Sequence, residues 1–348
     1  MIDAGPDFPR GILDPGDMAG AVAALPEQIE AAVVRLAGLS LPPGLADGID
    51  AVAVLGMGGS AIAADLAAAM LAEELAVPMQ VVRDEALPGW VGPRTLAIAS
   101  SFSGGTVETM GAFRAAGGRR ARRVAITTGG PLADLARAER VPVVGLPAGG
   151  QPRAALGDSL VSVLAVLRAA GLVADAGPPL AVATAEMRRL VAAWRDGGDA
   201  PRALARSLAG RIPFVFAPTD LAPVARRWKG QINENAKMAA AWDVVPELAH
   251  NTVVGFEHPP GLPERVHVVS LTGPGTPAAS ARRLEAVGEL LAERGLGHTV
   301  VRAPAGPRLA EALWLVQFGD LVSLELAFAN GVDPTPVDAI ARLKRALT

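Results

Sequence analysis

Short apolar runs separated by helical stretches dominate the first half of the chain. Five such runs predict strands at 51–55, 79–82, 95–99, 123–127 and 141–146, and the stretches near 60–75, 106–116 and 131–139 predict helices. Because the runs are continuously apolar, they are typical of parallel strands that are buried on both faces. The pattern therefore predicts an α/β layered fold.

A second, looser series of the same kind follows a break at 172–179. It predicts strands at 213–217, 266–271 and 299–303, and helices at 180–195, 201–208, 221–239, 277–294, 308–330 and 335–347, after an N-terminal helix at 18–36. We therefore expect two similar α/β domains with parallel sheets flanked by helices. The expected bounds are 1–44 for an N-terminal helical segment, 45–175 and 180–330 for the two domains, and 331–348 for a C-terminal helix.

Composition narrows the class of protein. The chain has 348 residues and a net charge of −3 with no long basic run, which argues against nucleic acid or a membrane as partner. The absence of cysteine excludes disulfides and thiol nucleophiles and suits a reducing cytoplasm. The apolar stretch 309–329 contains Glu311, Asp320 and Glu325, and the first residues lack the pattern of a signal peptide. A soluble, cytoplasmic protein is expected.

A glycine-rich turn follows the first predicted strand. It reads GMGGSA and offers Gly58 and Gly59 for close backbone approach, a hydroxyl at Ser60, and the amides of a helix start, which together suit an anion. No lysine stands where a P-loop requires it, and Arg83 occupies the region where a dinucleotide site expects an acid. The turn therefore favours a small anion over a dinucleotide.

The third predicted strand ends in a second turn, SSFSGGTVET. Ser101, Ser103 and Thr106 place three hydroxyls around a double glycine at a helix start. One such turn is equally explained as an ordinary helix cap. Two of them at strand ends of one domain favour phosphate binding. A third loop, at 147–157, carries Arg153, which either pairs with a surface acid or reaches the same pocket.

Acids, bases and amides are concentrated between Arg227 and Glu257. Glu234 and His250 are sixteen positions apart, too far to be neighbours on one helix, but they offer a general base and a general acid. The alternative is structural: Glu234 and Lys237 would form a solvated helix pair, and His250 would be a loop or capping residue.

These motifs together resemble the bifunctional phosphoglucose/phosphomannose isomerase family of the sugar isomerase (SIS) fold. The resemblance rests on GMGGSAIAADL, SFSGGTVET, GQPRAALG, ENAKMAA with PELAHN, and DAIARLK, and it extends over residues 50–344. It implies two SIS-type domains, the first with the phosphate loops and the second with the catalytic Glu/His segment. It also implies aldose–ketose isomerisation of a hexose 6-phosphate, without metal or cofactor, in a homodimer whose active site lies at the subunit interface.

The resemblance also implies a role for each motif residue. Ser60, Ser101, Ser103 and Thr106 would hold the phosphate. Glu234 would move a proton between C2 and C1 through a cis-enediol, Arg153 would stabilise the negative charge on that intermediate, and His250, from the neighbouring subunit, would assist ring opening. Lys344 would contact the ring or its hydroxyls.

Two residues of the second turn depart from the family pattern. Gly105 stands where the serine loop of the family, S-G-N-T, has an amide, and Phe102 stands where tyrosine is common. His258, His267 and His298 lack the spacing of a metal site, so no metal is expected.

The isomerase is the leading hypothesis for the function. The alternatives are an isomerase or epimerase acting on another sugar phosphate, and a catalytically silent SIS module that senses one.

Overall fold

The computed structural model describes residues 10–346 and divides them into two compact units. The first unit spans Ala24–Thr184, and the second unit combines residues 10–23 with residues 185–346. The described chain begins with two short helices of the second unit, α1 (Arg10–Leu13) and α2 (Met18–Ala23). Each unit contains one parallel sheet and flanking helices, which confirms the predicted fold class.

The first unit alternates strands and helices as predicted. Its elements are α3 (Leu25–Leu36), β1 (Ala51–Gly56), α4 (Gly58–Met70), β2 (Met79–Val82), β3 (Thr95–Ser100), α5 (Val107–Gly118), β4 (Arg122–Thr127), α6 (Gly130–Ala138), β5 (Val143–Gly145), α7 (Leu156–Ala169) and the first part of α8 (Gly177–Arg195). The strands form one parallel sheet in the order β2-β1-β3-β4-β5. Strands β1 and β3 are buried along their whole length, as their continuous apolar runs predict.

Helix α3 packs on α7 and closes one side of the first unit. Contact is close because Gly157 has no side chain: a Cβ there would lie 3.0 Å from a side-chain carbon of Ile29. Gln28 donates to the carbonyl of Ala154 at 2.8 Å, which links α3 to the turn before α7. The predicted N-terminal helical segment therefore helps to hold the loop in which Arg153 lies.

The second unit has a smaller sheet of the same type. Its remaining elements are α9 (Ala200–Leu208), β6 (Ile212–Pro218), α10 (Ala222–Asn235), β7 (Ala241–Val245), α11 (Leu262–Arg265), β8 (Val266–Thr272), α12 (Ala278–Glu293), β9 (Gly297–Arg302), α13 (Arg308–Ala329) and α14 (Asp338–Ala346). The strands are parallel and follow the order β7-β6-β8-β9. Strand β6, like β1, is therefore a central strand followed by a helix.

Helix α13 is the core helix of the second unit. By length and hydropathy it could cross a membrane, but 83% of its apolar window is buried inside the protein. Its acidic side chains are paired: Asp320 accepts hydrogen bonds from Arg227, and Glu311 accepts from Arg308 at 2.6 Å. The helix therefore has the packing of a buried core element.

Two predicted helices differ from the observed ones near their starts. The predicted helix 18–36 is two helices, because α3 begins anew with Pro26 in its first turn, where a missing N–H costs nothing. The predicted helix 335–347 starts later, at Asp338, beyond two prolines. Residue 347 lies outside the described residues.

The predicted helix 221–239 is wrong at its end, and a strand was missed. Helix α10 ends at Asn235, because Lys237 adopts the left-handed backbone conformation with φ +54. Strand β7 follows at Ala241–Val245 and pairs with β6. The sequence segment richest in polar chemistry is therefore a helix end, a turn and an edge strand.

Candidate active site

The first hydroxyl loop, residues 56–60, leads from the end of β1 into the first turn of α4 and contains three predicted site residues, Gly58, Gly59 and Ser60. Gly58 has a left-handed backbone with φ +51, which favours glycine. A Cβ on Gly59 would lie 2.9 Å from the carbonyl oxygen of Pro152, so the absent side chain lets the turn that carries Arg153 pack closely. Ser60 is buried in the first turn of α4. The loop presents a helix start at the carboxyl edge of the sheet, where anions bind.

The second hydroxyl loop, residues 101–106, joins β3 to α5. It lies near the first hydroxyl loop because β1 and β3 are adjacent strands. The hydroxyl oxygens of Ser101 and Thr106 are hydrogen-bonded at 2.9 Å. Ser103 is exposed, and its Oγ accepts from the amide of Gly105 at 3.3 Å. The structure thus brings the Ser101 and Thr106 hydroxyls together before α5 and places Ser103 in the same loop.

Residues that follow strand β4 hold the second hydroxyl loop in place through hydrogen bonds. The carbonyl of Phe102 accepts from both the amide of Thr128, at 3.1 Å, and its hydroxyl, at 2.8 Å. The carbonyl of Gly104 accepts from the amide of Leu132 at 2.8 Å. Thr128 was not among the predicted site residues, although two consecutive threonines, Thr127 and Thr128, stand at the end of a predicted strand. The loop is therefore fixed in shape by the fold itself.

Arg153 lies in a short 3₁₀ turn, Pro152–Ala154, beside the first hydroxyl loop. Its side chain is 5% exposed, and its Nη1 donates to Oε1 of Gln151 at 3.4 Å. The sequence left open whether Arg153 pairs with a surface acid or reaches the pocket. The guanidinium is buried within the unit that holds both hydroxyl loops. The backbone of Arg153 packs on Gly59.

In the second unit, Glu234 lies at the end of α10, and long-range contacts fix that helix against α13. Trp228 donates from its indole nitrogen to the carbonyl of Leu315 at 2.9 Å. Arg227 donates from Nε to Asp320 at 3.0 Å, and this ion pair is fully buried. Burial raises the pKa of the Asp320 carboxyl, and the Arg227 guanidinium opposes that rise. These contacts hold α10, whose last turn carries the half-buried Glu234, against α13.

Lys237 was predicted to lie on the same helix as Glu234, but the helix ends before it. It lies beyond the end of α10, and its ammonium group donates to the backbone carbonyl of Glu234 at 2.7 Å. Asn235 faces the interior, where its amide donates to Ser323 at 2.9 Å. The polar cluster around Glu234 therefore contains two residues that stabilise the helix end.

His250 ends a 3₁₀ turn, Glu247–His250, that follows β7. Leu248 is buried beneath this turn, and Asn251 donates to Glu247 at 3.0 Å. His250 itself is exposed. Glu234 and His250 are thus carried by separate elements of one unit, α10 and the turn after β7.

Lys344 lies on α14, whose described residues are all partly or fully exposed. Ile340 and Leu343 on the same helix are 42% and 61% exposed. The helix therefore presents apolar and basic side chains together on the surface of the second unit.

Two of the remaining histidines are structural. His267 and His298 lie near the starts of β8 and β9, as predicted, and bond to Thr299 and Ser270 at 2.9 Å. Burial, together with Arg211 and His298, lowers the pKa of His267 to about 4, and burial lowers the pKa of His298. Within residues 10–346, no three His, Asp or Glu side chains are grouped as a metal site.

Comparison with known proteins first defines the class of protein. A family model described as the bacterial phospho-glucose isomerase C-terminal SIS domain matches residues 199–347. The C-terminal domain of glucosamine-fructose-6-phosphate aminotransferase from Francisella tularensis has the same fold, with a TM-score of 0.69 at 16% identity over 92% of this chain and 98% of that one. The two parallel sheets flanked by helices are thus those of a SIS-domain protein.

Two relatives identify the family. A bifunctional phosphoglucose/phosphomannose isomerase from Caldicellulosiruptor bescii is 34% identical over 328 residues, covering 93% of this chain and 96% of that protein. A protein of the same name from Aquifex aeolicus is 33% identical over 293 residues, covering 84% and 88%. The chain belongs to the bifunctional phosphoglucose/phosphomannose isomerase family, which confirms the resemblance of its motifs.

Proposed function

We propose that this protein catalyses metal-independent aldose–ketose isomerisation of hexose 6-phosphates. Its substrates would be glucose 6-phosphate and mannose 6-phosphate, each interconverted with fructose 6-phosphate. The observation that carries the proposal is the 34% identity, over 93% of the chain, to an enzyme with this bifunctional name. The chain also retains side chains suited to each chemical step.

The hydroxyl loops of the first unit would hold the phosphate group. Hydroxyls and helix-start amides donate to a dianion without the cost of burying a full counter-charge. The phosphate supplies binding energy remote from the reacting carbons, which positions C1 and C2. The residues assigned to this role are Gly58, Gly59, Ser60, Ser101, Ser103 and Thr106.

Glu234 would act as the base of the proton transfer. A proton next to a carbonyl is weakly acidic, so the reaction needs a positioned carboxylate and a cation near the oxygen that becomes negative. Glu234 removes the proton from C2 of the aldose and returns it to C1, through a cis-enediol. Arg153 stabilises the negative charge of that intermediate. His250 assists ring opening, and Lys344 contacts the sugar hydroxyls.

The proposal includes a homodimer with the active site at the subunit interface, no cofactor, and a cytoplasmic location. The exposure of His250 and of Lys344 supports a role for both at a subunit contact. The exposed apolar side chains beside Lys344, Ile340 and Leu343, support the same assignment.

A coupled assay tests the proposal. Fructose 6-phosphate is the substrate, glucose 6-phosphate is detected with a dehydrogenase, and mannose 6-phosphate is tested in parallel. Glu234→Gln should lower kcat by roughly 10²–10⁴-fold with little change in phosphate affinity. Glu293→Gln, an exposed acid on α12, is the matched control and should leave kcat unchanged. Ser103→Ala should act mainly by raising KM. EDTA should have no effect.

Each alternative has its own outcome in this experiment. Full turnover by the Glu234→Gln variant would remove Glu234 from the role of base. Tight binding of hexose phosphates without turnover would favour the sensor hypothesis. Turnover restricted to another sugar phosphate would favour an isomerase or epimerase of different specificity.

A further inference from the structure

Lys237 has an unusual backbone conformation for a lysine. It is the second residue after α10, and its φ of +54 lies in the left-handed region. Glycine is the usual residue where a helix ends in this conformation, because a Cβ makes it unfavourable. Arg120 and Arg140 have the same conformation two residues after α5 and α6, so what distinguishes Lys237 is the set of contacts that its side chain makes.

The ammonium group of Lys237 joins two segments that are distant in sequence. It donates to the carbonyl oxygen of Glu234 at 2.7 Å and to that of Pro334 at 3.0 Å. The first carbonyl belongs to the last turn of α10, where carbonyls have no partner within the helix. The second belongs to the segment that leads into α14, on which Lys344 lies. A positive charge at a helix C-terminus is also favourable to the helix dipole.

Two amide side chains stabilise the same turn but make different contacts. Asn233 donates to the carbonyl of Met238 at 2.7 Å, and Asn330 donates to that of Ala236 at 3.0 Å. These bonds hold the turn to α10 and to the end of α13. Lys237 adds the bond from the turn to the segment before α14.

We propose that Lys237 is a positioning residue of the isomerase reaction. It fixes the last turn of α10, from which Glu234 projects, and ties that turn to the segment that carries Lys344. This inference rests on the proposed function, in which Glu234 is the base. A catalytic carboxylate must be held within about 0.5 Å of its productive position, so a small displacement of the helix end lowers the rate.

Three substitutions separate positioning from stability. Lys237→Met keeps the length of the side chain but removes its donors. Lys237→Gly removes the donors and also relieves the left-handed backbone, so its Tm should exceed that of Lys237→Met. Lys237→Arg restores donors. Lys229→Met, on α10 itself, is the matched control for the loss of a lysine charge.

We expect kcat for fructose 6-phosphate to fall about 10–100-fold in both Lys237→Met and Lys237→Gly, with KM changed less than about threefold. Lys237→Arg should recover part of the loss, and Lys229→Met should keep kcat. Amide hydrogen exchange in residues 335–346 should be faster in Lys237→Met, because the bond to Pro334 is lost.

The proposal is overturned if Lys237→Met and Lys237→Gly both keep kcat within twofold, or if Lys237→Gly alone recovers full activity. Failure of the proposed function gives a different result, because the unaltered protein would then isomerise no hexose phosphate. If the unaltered protein is active, Glu234→Gln is inactive and the Lys237 variants are fully active, then only the positioning role fails.

Discussion

Two adjacent glycines in the second hydroxyl loop should respond oppositely to the same substitution. Gly104 has φ +68, and a Cβ there would overlap the carbonyl oxygen of Gly129 and lie 2.9 Å from Oγ1 of Thr127. Gly105 has a φ outside the left-handed region, and a Cβ there would have no described atom within 4 Å. Alanine should therefore be harmful at the first position and harmless at the second.

The structure gives the approximate size of each effect. Gly104→Ala adds a left-handed alanine, which costs about 1–2 kcal/mol, and forces the backbone around Gly129 to shift, which costs about 1–3 kcal/mol. Gly105→Ala removes conformational freedom from the unfolded chain and should stabilise by about 0.4–1 kcal/mol, because its native conformation is compatible with alanine. The two variants should differ by several kcal/mol.

Chemical denaturation of both variants measures this difference, and binding of inorganic phosphate measures its effect on the loop. Gly104→Ala should unfold at clearly lower denaturant concentration and bind phosphate weakly, because the shift moves the Ser101 and Thr106 hydroxyls. Gly105→Ala should unfold at the same or higher concentration. Equal stability of the two variants would refute the close packing of Gly104 against the turn at Gly129.

Three further predictions concern affinity, pH and buried charge. Gly105→Asn, which restores the amide of the family's S-G-N-T loop, should lower KM for fructose 6-phosphate in the coupled assay. Because the pKa of His267 is lowered from 6.5 to about 4 in the folded protein, the unfolded state binds the proton first as the pH falls. The contribution of His267 to the unfolding free energy should therefore be fully present above pH 6.5 and fall by at most roughly 3 kcal/mol down to pH 4. In denaturation curves recorded at several pH values, His267→Gln should reduce the dependence of the unfolding free energy on pH, and substitution of the exposed His258 by Gln should not. Asp320→Ala leaves Arg227 buried without this carboxylate and should cost about 3–5 kcal/mol of unfolding free energy, measured by urea titration.

The strands of the first unit could be predicted because their signals are local. An apolar run such as 51–55 followed directly by glycines identifies both a buried strand and the loop at its end. Both hydroxyl loops were found for the same reason. Strand β7 was missed because it is an edge strand whose residues are mostly half-buried, and Asp243 interrupts its apolar run.

The end of α10 could not be predicted, because its cause is distant in sequence. The residues after Asn235 are mostly alanines, which favour continuation of a helix. The helix ends instead where Lys237 takes a left-handed backbone and bonds to Pro334, 97 residues further along the chain. The pairing of Arg227 with Asp320, which holds α10 against α13, likewise joins residues 93 positions apart.

The corresponding edge of the second unit shows why a glycine-rich turn alone does not define a ligand site. The turn after β8, TGPGTP, has glycines and hydroxyls at a helix start, as the second hydroxyl loop does. There the amide of Gly275 donates at 2.8 Å to Glu311, whose carboxylate is also bound by Arg308 at 2.6 Å. A side chain of the protein already occupies the position at which an anion would accept from that amide. In the second hydroxyl loop, by contrast, the amide of Gly105 donates to the hydroxyl of Ser103, which is neutral. Similar turns thus differ in whether a carboxylate of the protein itself accepts from the turn. After β8 that carboxylate comes from Glu311 on α13, 36 residues after Gly275.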